Sequence, residues 1–420
     1  MSCSCDKVCV ISRDNDRVVI TGMGAVTPAG CSIERLWDLL CSGKSAAAPI
    51  TAFDVSRHRV QFGCAVPGLD DACVLDRKEA RRLDPFAQYA LTAAINAYDD
   101  AGAPGPDPTR AAILSGNIVG GRVTSDNEAR NYWEQGPGKV HPLMPLMTMP
   151  NTAPALIAIR LGWRGPAIAI STACASGTDA IGQAVQLLRA HRMDIVLAGG
   201  CEAAITPVAL AGFTNLNAVS SRNDDPGRAS RPFDVDRDGF VLGEGAGFVV
   251  LEREADADAR GATPYAAITG YGATADAFHL SMPPEDGAGA VECMSAALRD
   301  AGLRPSDIGH VNAHGTSTPY NDRAEAAALQ TVFGPSGPPV TSTKGAIGHL
   351  IGAAGAVELI ATVLALRNGV VPPTANHEET DPDMKIDVVH GRPRPVPPGP
   401  ALSNSFGFGG HNACLVVEPA

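Results

Sequence analysis

The chain has 420 residues, 45 acidic against 33 basic, for a formal net charge of −12. That length allows two or three domain equivalents around a large core, and the acidity argues against a nucleic-acid binder. Hydrophobic residues make up 45% but aromatics only 5%, so Ala, Val, Leu and Ile must fill the interior, and no apolar run of about 18 residues escapes polar interruption, which argues against a membrane-spanning helix.

Taken from the start, Met1 to Lys7 lacks the apolar centre of a secretion signal. Cys3, Cys5 and Cys9 cluster, but no matching Cys/His pair follows at zinc spacing. Residues 1–16 therefore read as an extension with no metal site. The eleven scattered cysteines point to reduced thiols in a cytoplasmic protein. Arg17–Thr21 predicts a strand, and Gly22-Met23-Gly24 after it a tight turn, because no third glycine completes a dinucleotide fingerprint. Lys78, Arg81 and Arg82 sit at i, i+3 and i+4, one face of a predicted helix. A helix near Phe86–Ala101 and a strand at Ala111–Ser115 follow. Gly120–Thr148 carries Pro, Gly, Asn and charge and reads as loop. Ala167–Ile170 reads as a buried strand, 174–190 as a helix with Ile181, Val185 and Leu188 on one stripe, and Asp194–Ala198 as a strand. Thr214–Asp238 reads as loop, Gly243–Gly247 as a structural turn, and Phe248–Leu251 as a strand. The second series holds helix Ala288–Ala301, a strand around Val311, helices Asp322–Phe333 and His349–Leu366, and strands Ala401–Ser403 and Ala413–Val417. This alternation predicts an α/β fold with mainly parallel sheets.

Cys174 falls where a predicted strand turns into a helix N-terminus. Unpaired amides and the positive dipole end there favour thiolate, and Ala173, Ala175, Ser176 and Gly177 leave the sulfur accessible. A nucleophile is built this way, although a packed core cysteine fits the same residues. His314 ends a predicted strand in Val311-Asn312-Ala313-His314-Gly315-Thr316. His349 lies in Gly348-His349-Leu350 before a helix. Together they give a Cys/His/His set at element termini, where active sites gather in α/β folds.

With these residues in place, the chain resembles the elongating β-ketoacyl-[acyl-carrier-protein] synthases of the thiolase-like superfamily. The resemblance runs from Arg17-Val18-Val19-Ile20-Thr21-Gly22-Met23-Gly24 to Asn404-Ser405-Phe406-Gly407-Phe408-Gly409-Gly410, with Gly243-Glu244-Gly245-Ala246-Gly247, Asp322 to Glu325 and Pro372-Pro373-Thr374 in order between. It implies a duplicated fold, layered αβαβα with two mixed, mainly parallel sheets. The halves would be 17–260, with the nucleophile, and 261–420, with the histidines. It implies Cys174 as acyl carrier, and His314 and His349 as donors to the enolate formed when malonyl thioester loses carbon dioxide. Lys344 would pair with Glu325 as an orienting group. Phe408 would supply an oxyanion-hole amide, Phe406 and Phe408 a gate made mobile by Gly407 and Gly409, and Thr316 and Thr318 contacts to the pantetheine arm or malonyl group. Val119 matches a position limiting tunnel depth. Asn312, Glu358, Ser403 and Asn404 match positions near a monovalent cation in some relatives. No cofactor is implied, since 4′-phosphopantetheine arrives on the carrier protein. Lys78, Arg81 and Arg82 match a carrier-docking helix, which an acidic enzyme needs to receive an acidic partner. A homodimer, or a heterodimer with a chain-length-factor-like homologue, is implied.

Other classes fit less well. Thiolases use a second cysteine near the C-terminal loop, and here none occurs until Cys414. Initiating synthases pair Cys with His and Asn. Chain-length factors lose the nucleophilic cysteine. Fatty-acid and polyketide synthases share every motif above. The N-terminal extension, and His411 where many fatty-acid relatives carry Thr, tilt the reading towards specialised metabolism.

Overall fold

A computed structural model describes residues 17–69 and 74–420, so the extension 1–16 lies outside the described residues. Ten strands form the main sheet: β1 (Val18–Val26), β2 (Ala111–Gly116), β3 (Ala167–Ile170), β4 (Ile195–Glu202), β5 (Gly245–Arg253), β6 (Ala266–Ala275), β7 (His310–Asn312), β8 (Val340–Thr341), β9 (Ala401–Gly407) and β10 (His411–Pro419). Their order is β8-β7-β9-β10-β6-β1-β5-β4-β2-β3. Numbered within each half, both runs of five read 3-2-4-5-1 from the outer edge inward. The chain is therefore a duplication, as the resemblance implies.

Two details differ from the expected sheets. Pairing of β1 with β6 (Val18 with Ile268, Ile20 with Ala266) joins the halves into one continuous sheet. Five neighbour pairs are antiparallel and four parallel, so the sheet is mixed rather than mainly parallel. The parallel pairs lie in the outer strands of each half, where crossover helices connect them.

Five helices complete the layers: α1 (Pro85–Asp100), α2 (Ser176–Arg189), α3 (Ala288–Ala301), α4 (Pro319–Phe333) and α5 (Ala354–Asn368). α2 and α5 touch each other and strands of both halves, so they fill the layer where the two halves face each other. α1 covers β1 and β5 outside, and α3 covers β6 and β10. Glycines set how closely these outer helices approach. A Cβ on Gly22 or Gly24 would meet the carbonyls of Ala97 and Ala93 at 2.2 and 2.1 Å, and one on Gly270 or Gly272 those of Ala297 and Cys293 at 2.2 Å. Gly22 and Gly24 are thus not a turn; they lie inside β1 and let a helix backbone reach the strand. Residues 351–368 are long and apolar enough to cross a membrane by length and composition, but 78% of that stretch is buried in the middle layer.

Further expectations are corrected. β3 is an edge strand, and Ala167 and Ile168 on it are exposed rather than buried. Its apolar run cannot reveal this, because a run without alternation says nothing of which neighbours cover it. Residues 120–148 contain helices Arg122–Gln135 and Met144–Thr148. The first buries only Thr124, so it has no apolar stripe for periodicity to detect. The basic helix is one turn, Arg77–Ala80. Lys78, Arg81 and Arg82 are exposed, but the last two lie beyond the helix.

Candidate active site

Three sharp turns bring the Cys/His/His set together. Ala173 is left-handed, with φ 49°, and this bend ends the β3 path and starts α2 at Ser176. The elbow is tied by Ser176 Oγ, which donates to Ala173 O at 2.6 Å and accepts from Thr172 N at 2.9 Å. His314 follows β7, and its N–H and that of Gly315 donate to Glu325 on α4 at 2.8 and 2.7 Å. His349 precedes α5, which begins at Ala354 and not at His349; its N–H donates to Val241 O at 2.7 Å. The result places one ligand atom of each of Cys174, His314 and His349 within 4.8 Å of the others. His349 Nε2 lies 3.0 Å from Cys174 Sγ, and the two imidazoles meet edge to face at 5.3 Å.

The hydrogen bonds fix which ring nitrogen carries the proton. Ile351 N–H donates to His349 Nδ1 at 3.3 Å, and the Lys344 ammonium stands 3.4 Å from His314 Nδ1. In both neutral rings the proton then sits on Nε2, so both present N–H donors. Burial first, and then the Lys344 charge, hold both histidines well below the ordinary range, with His349 adding to the effect on His314. They are neutral donors across physiological pH.

Burial pushes the Cys174 thiol up to about 12, against the pull of Lys344 and a hydrogen bond from the Phe408 N–H. The expected thiolate-favouring helix terminus is outweighed in the resting site: Cys174 is buried at the floor of a cavity, and desolvating a thiolate costs more than one helix end returns. The Phe408 amide nevertheless reaches the sulfur. Gly407 makes that approach possible, since a Cβ there would meet Cys174 N at 2.9 Å and Thr172 O at 3.0 Å. Gly409 is left-handed, with φ 82°, and its N–H donates to Leu280 O at 2.7 Å. Phe406 packs on His314 at 6.0 Å.

Lys344 is paired differently from the expectation. Its buried ammonium forms a short ion pair with Glu358 on α5, not with Glu325, and donates to His314 O at 2.6 Å. Glu325 is occupied by the two backbone N–H groups, and burial raises its carboxyl to about 7. Four buried oxygens have no hydrogen-bond partner: Asn312 Oδ1, Glu358 Oε2, Ser403 Oγ and Asn404 Oδ1, the last on the opposite face of β9, where its amide reaches Met294 and Glu325. Asn312 lies opposite Ser403 across β7 and β9 and donates to Glu358 O. Asn312, Ser403 and Glu358 make an all-oxygen set with one carboxylate that fits a hard cation.

The set opens into a cavity of about 560 Å³, walled by Val119, Phe213, Thr316, Thr318, Phe406 and Phe408 among others. Thr316 and Thr318 hydroxyls bond each other at 2.8 Å. Sequence reasoning missed Glu202 behind Val119, Phe240 stacked edge-on to His349 at 5.3 Å, and the Asp276–Pro284 loop at the mouth. An acidic residue ending a strand was the only sign of Glu202.

Residues 15–257 match the family described as beta-ketoacyl synthase, N-terminal domain, and 265–378 its C-terminal domain. A 3-oxoacyl-[acyl-carrier-protein] synthase 2 of Synechocystis is 43% identical over 409 residues, covering 96% of this chain and 98% of that one. The enzyme of the same description from Vibrio cholerae is 43% identical over 408 residues, covering 96% and 99%. Among solved structures, the ishigamide ketosynthase/chain length factor superposes with a TM-score of 0.90 at 34% identity, covering 96% and 99%. A type II PKS acyl-carrier protein in complex with its ketosynthase bound to the hexaketide gives 0.87 at 31%, with the same coverage. With Cys174 and two neutral imidazoles converging on one cavity, the chain belongs to the β-ketoacyl synthase family and is an acyltransferase of the 3-oxoacyl-[acyl-carrier-protein] synthase type.

Proposed function

We propose that Cys174 carries the growing acyl chain, and that His314 and His349 together bind the enolate of the extender unit. The observation that carries this is the convergence of the Cys174 sulfur and two neutral histidines within 4.8 Å. In the first step Cys174 Sγ attacks the acyl thioester, the bond to the pantetheine sulfur breaks, and the released thiol takes the proton. Malonyl thioester then enters. Its bond to the carboxylate breaks, carbon dioxide leaves, and the electron pair becomes an enolate. The enolate oxygen accepts from the two Nε2–H groups, neutral donors that do not quench the carbanion. The α-carbon attacks the Cys174 thioester, and the oxyanion falls to the amides of Cys174 and Phe408. Collapse expels Cys174 as a thiolate, which takes one proton from solvent to restore the thiol, and releases the β-ketoacyl product on its carrier.

The partner is an acyl carrier protein, which brings its own 4′-phosphopantetheine; Lys78, Arg81 and Arg82 offer exposed positive charge for its acidic surface. A second copy, or a chain-length-factor-like homologue, fits the open edge of β3 beside exposed Ile159 and Ile168. The unpartnered oxygens of Asn312, Ser403 and Glu358 would hold a monovalent cation that steadies Glu358. The half-domains are 17–260 and 261–420, and the setting is cytoplasmic. The relatives at 43% identity favour fatty-acid elongation, while the polyketide ketosynthase complex at 31% supports the carrier as partner.

The test is intact-mass analysis after incubation with acyl carrier protein. Wild type should gain one acyl group and Cys174→Ala none. His314→Ala and His349→Ala should keep the adduct but lose malonyl decarboxylation by about 10²–10³-fold each. An adduct persisting in Cys174→Ala, or a histidine variant losing only acylation, would overturn the assignment.

A further inference from the structure

We propose that Glu202 is a positioning residue that locks the wall of the acyl cavity to the turn carrying His349. It rests on the functional reading above. Glu202 ends β4 and is fully buried. Its carboxylate is shared between two segments far apart in sequence. Oε2 accepts from Ile118 N at 3.0 Å and from Gly352 N at 3.2 Å. Oε1 accepts from Asn117 Nδ2 at 3.0 Å and Val119 N at 3.4 Å. Asn117 in turn accepts from Gly120 N at 2.7 Å, so all of 117–120 is organised around this one group.

Both ends of the clamp reach the chemistry. Ile118 and Val119 line the cavity, as does Ile351. Ile351 N–H is the donor that fixes the His349 tautomer, and Gly352 is the next residue. Gly352 is held so closely that a Cβ on it would sit 2.7 Å from Glu202 Oε2 and 3.1 Å from Asn117 Cα. Among the described residues no cation pairs with Glu202; its stabilising partners are four N–H donors. A buried carboxylate without a counter-charge is costly, and its natural replacement in a core is an apolar side chain. What an apolar residue cannot do is accept from three backbone amides of two segments at once. Burial raises the Glu202 carboxyl to about 7 despite those donors. The titratable groups that feel its charge are Cys174 and Cys201.

The geometry makes Glu202→Gln informative. Whichever oxygen becomes an amide NH2, two donors lose their acceptor and face a donor instead. Loss at Oε2 frees the wall and the turn together; loss at Oε1 frees the wall segment that holds the carboxyl against Gly352, so the turn loosens with it. Gly352→Ala disturbs the same joint from the other side. Three quantities are read in the full-length enzyme: the acyl-length profile on Cys174 by intact mass, the malonyl decarboxylation rate, and the pH profile of Cys174 alkylation by iodoacetamide. Each variant should shift the length profile and lower decarboxylation together, the latter by up to about 10²-fold, the usual cost of a misplaced catalytic group. The alkylation profile should move as well, because His349 no longer holds the sulfur in one geometry. Lower melting temperature with all three readouts as in wild type would make Glu202 merely structural and refute the proposal. So would a changed length profile with decarboxylation and alkylation intact. Should Glu202→Gln fail to fold, Gly352→Ala decides by the same criteria. If wild type itself carries no acyl group on Cys174, the functional reading fails first and this inference falls with it.

Discussion

Replacing Lys344 by Met removes a charge while nearly keeping the shape, and its consequences separate stability from chemistry. The ammonium has three donors, and three acceptors take them: Glu358 in the ion pair, His314 O at 2.6 Å, and His314 Nδ1 at 3.4 Å. Burial alone pushes the Glu358 carboxyl up, and Lys344 is the main influence pulling it back. Without the lysine, Glu358 Oε1 keeps only Thr343 Oγ1, at 3.4 Å. Breaking a buried pair from one side costs about 3–5 kcal/mol, so Lys344→Met should lower stability by that amount in chemical denaturation. Glu358→Gln should cost a similar amount. The double variant leaves no uncompensated charge and should fall short of the sum by up to about 3 kcal/mol. Activity should not recover with stability. His314 loses the donor that fixes its tautomer, so decarboxylation should stay down about 10²-fold or more in both Lys344→Met and the double variant. Additive stabilities would show that the pair is not coupled. Decarboxylation restored in the double variant would show that Lys344 acts only through Glu358 and not on His314.

Other consequences can be checked separately. Reversing Lys78, Arg81 and Arg82 to acidic residues should raise KM for carrier-bound substrate in a salt-dependent way and leave a short pantetheine analogue less affected, because rim charges act on association; equal effects would indicate a folding defect. With its thiol raised to about 12, resting Cys174 should be alkylated about tenfold faster per pH unit across roughly pH 6 to 9, and a plateau near neutrality would contradict the burial argument. Val119→Phe should shorten the accepted acyl chain, since overpacking a filled wall costs about 1–3 kcal/mol; an unchanged length profile would move the limiting wall elsewhere, for instance to a partner subunit.

What could be read beforehand was whatever leaves a local trace. Cys174, His314 and His349 each sit beside small residues at an element end, and that pattern is visible in the string. The outer helices α1 and α3 show their apolar faces, and Ala288–Ala301 appears with its limits intact. What failed depends on partners distant in the chain. Nothing near Lys344 distinguishes Glu325 from Glu358; α5 decides it by turning Glu358 inward. Nothing in Ala167–Ile170 says that no strand covers its outer side. The helix Arg122–Gln135 exposes Trp133 at 82%, and a helix with no buried face gives no period. Glu202 was invisible because its four donors come from 117–119 and 352, and only folding brings those to one carboxylate.

The duplication explains why Cys174 and the two histidines come from different halves. Ala173 stands three residues before α2 and Ile351 three before α5, and both are left-handed, at φ 49° and 52°. The two elbows are copies of one device. Their helices start against each other: a Cβ on Gly177 would meet Ala356 N at 3.0 Å, and one on Gly355 would meet Thr178 Oγ1 at 1.9 Å. Within this pseudo-symmetry Cys174 corresponds to Gly352. The first elbow spends its turn exposing a sulfur to the cavity, with the Phe408 amide directed at it. The second has no side chain at that place, and its amide is capped by Glu202. Its function is moved three residues back, to His349, whose ring points at the first elbow's sulfur. In the proposed mechanism, one half therefore makes the covalent bond and the other supplies neutral donors. The two elbows face each other closely enough for His349 Nε2 to lie 3.0 Å from Cys174 Sγ, so the two roles can meet on one substrate.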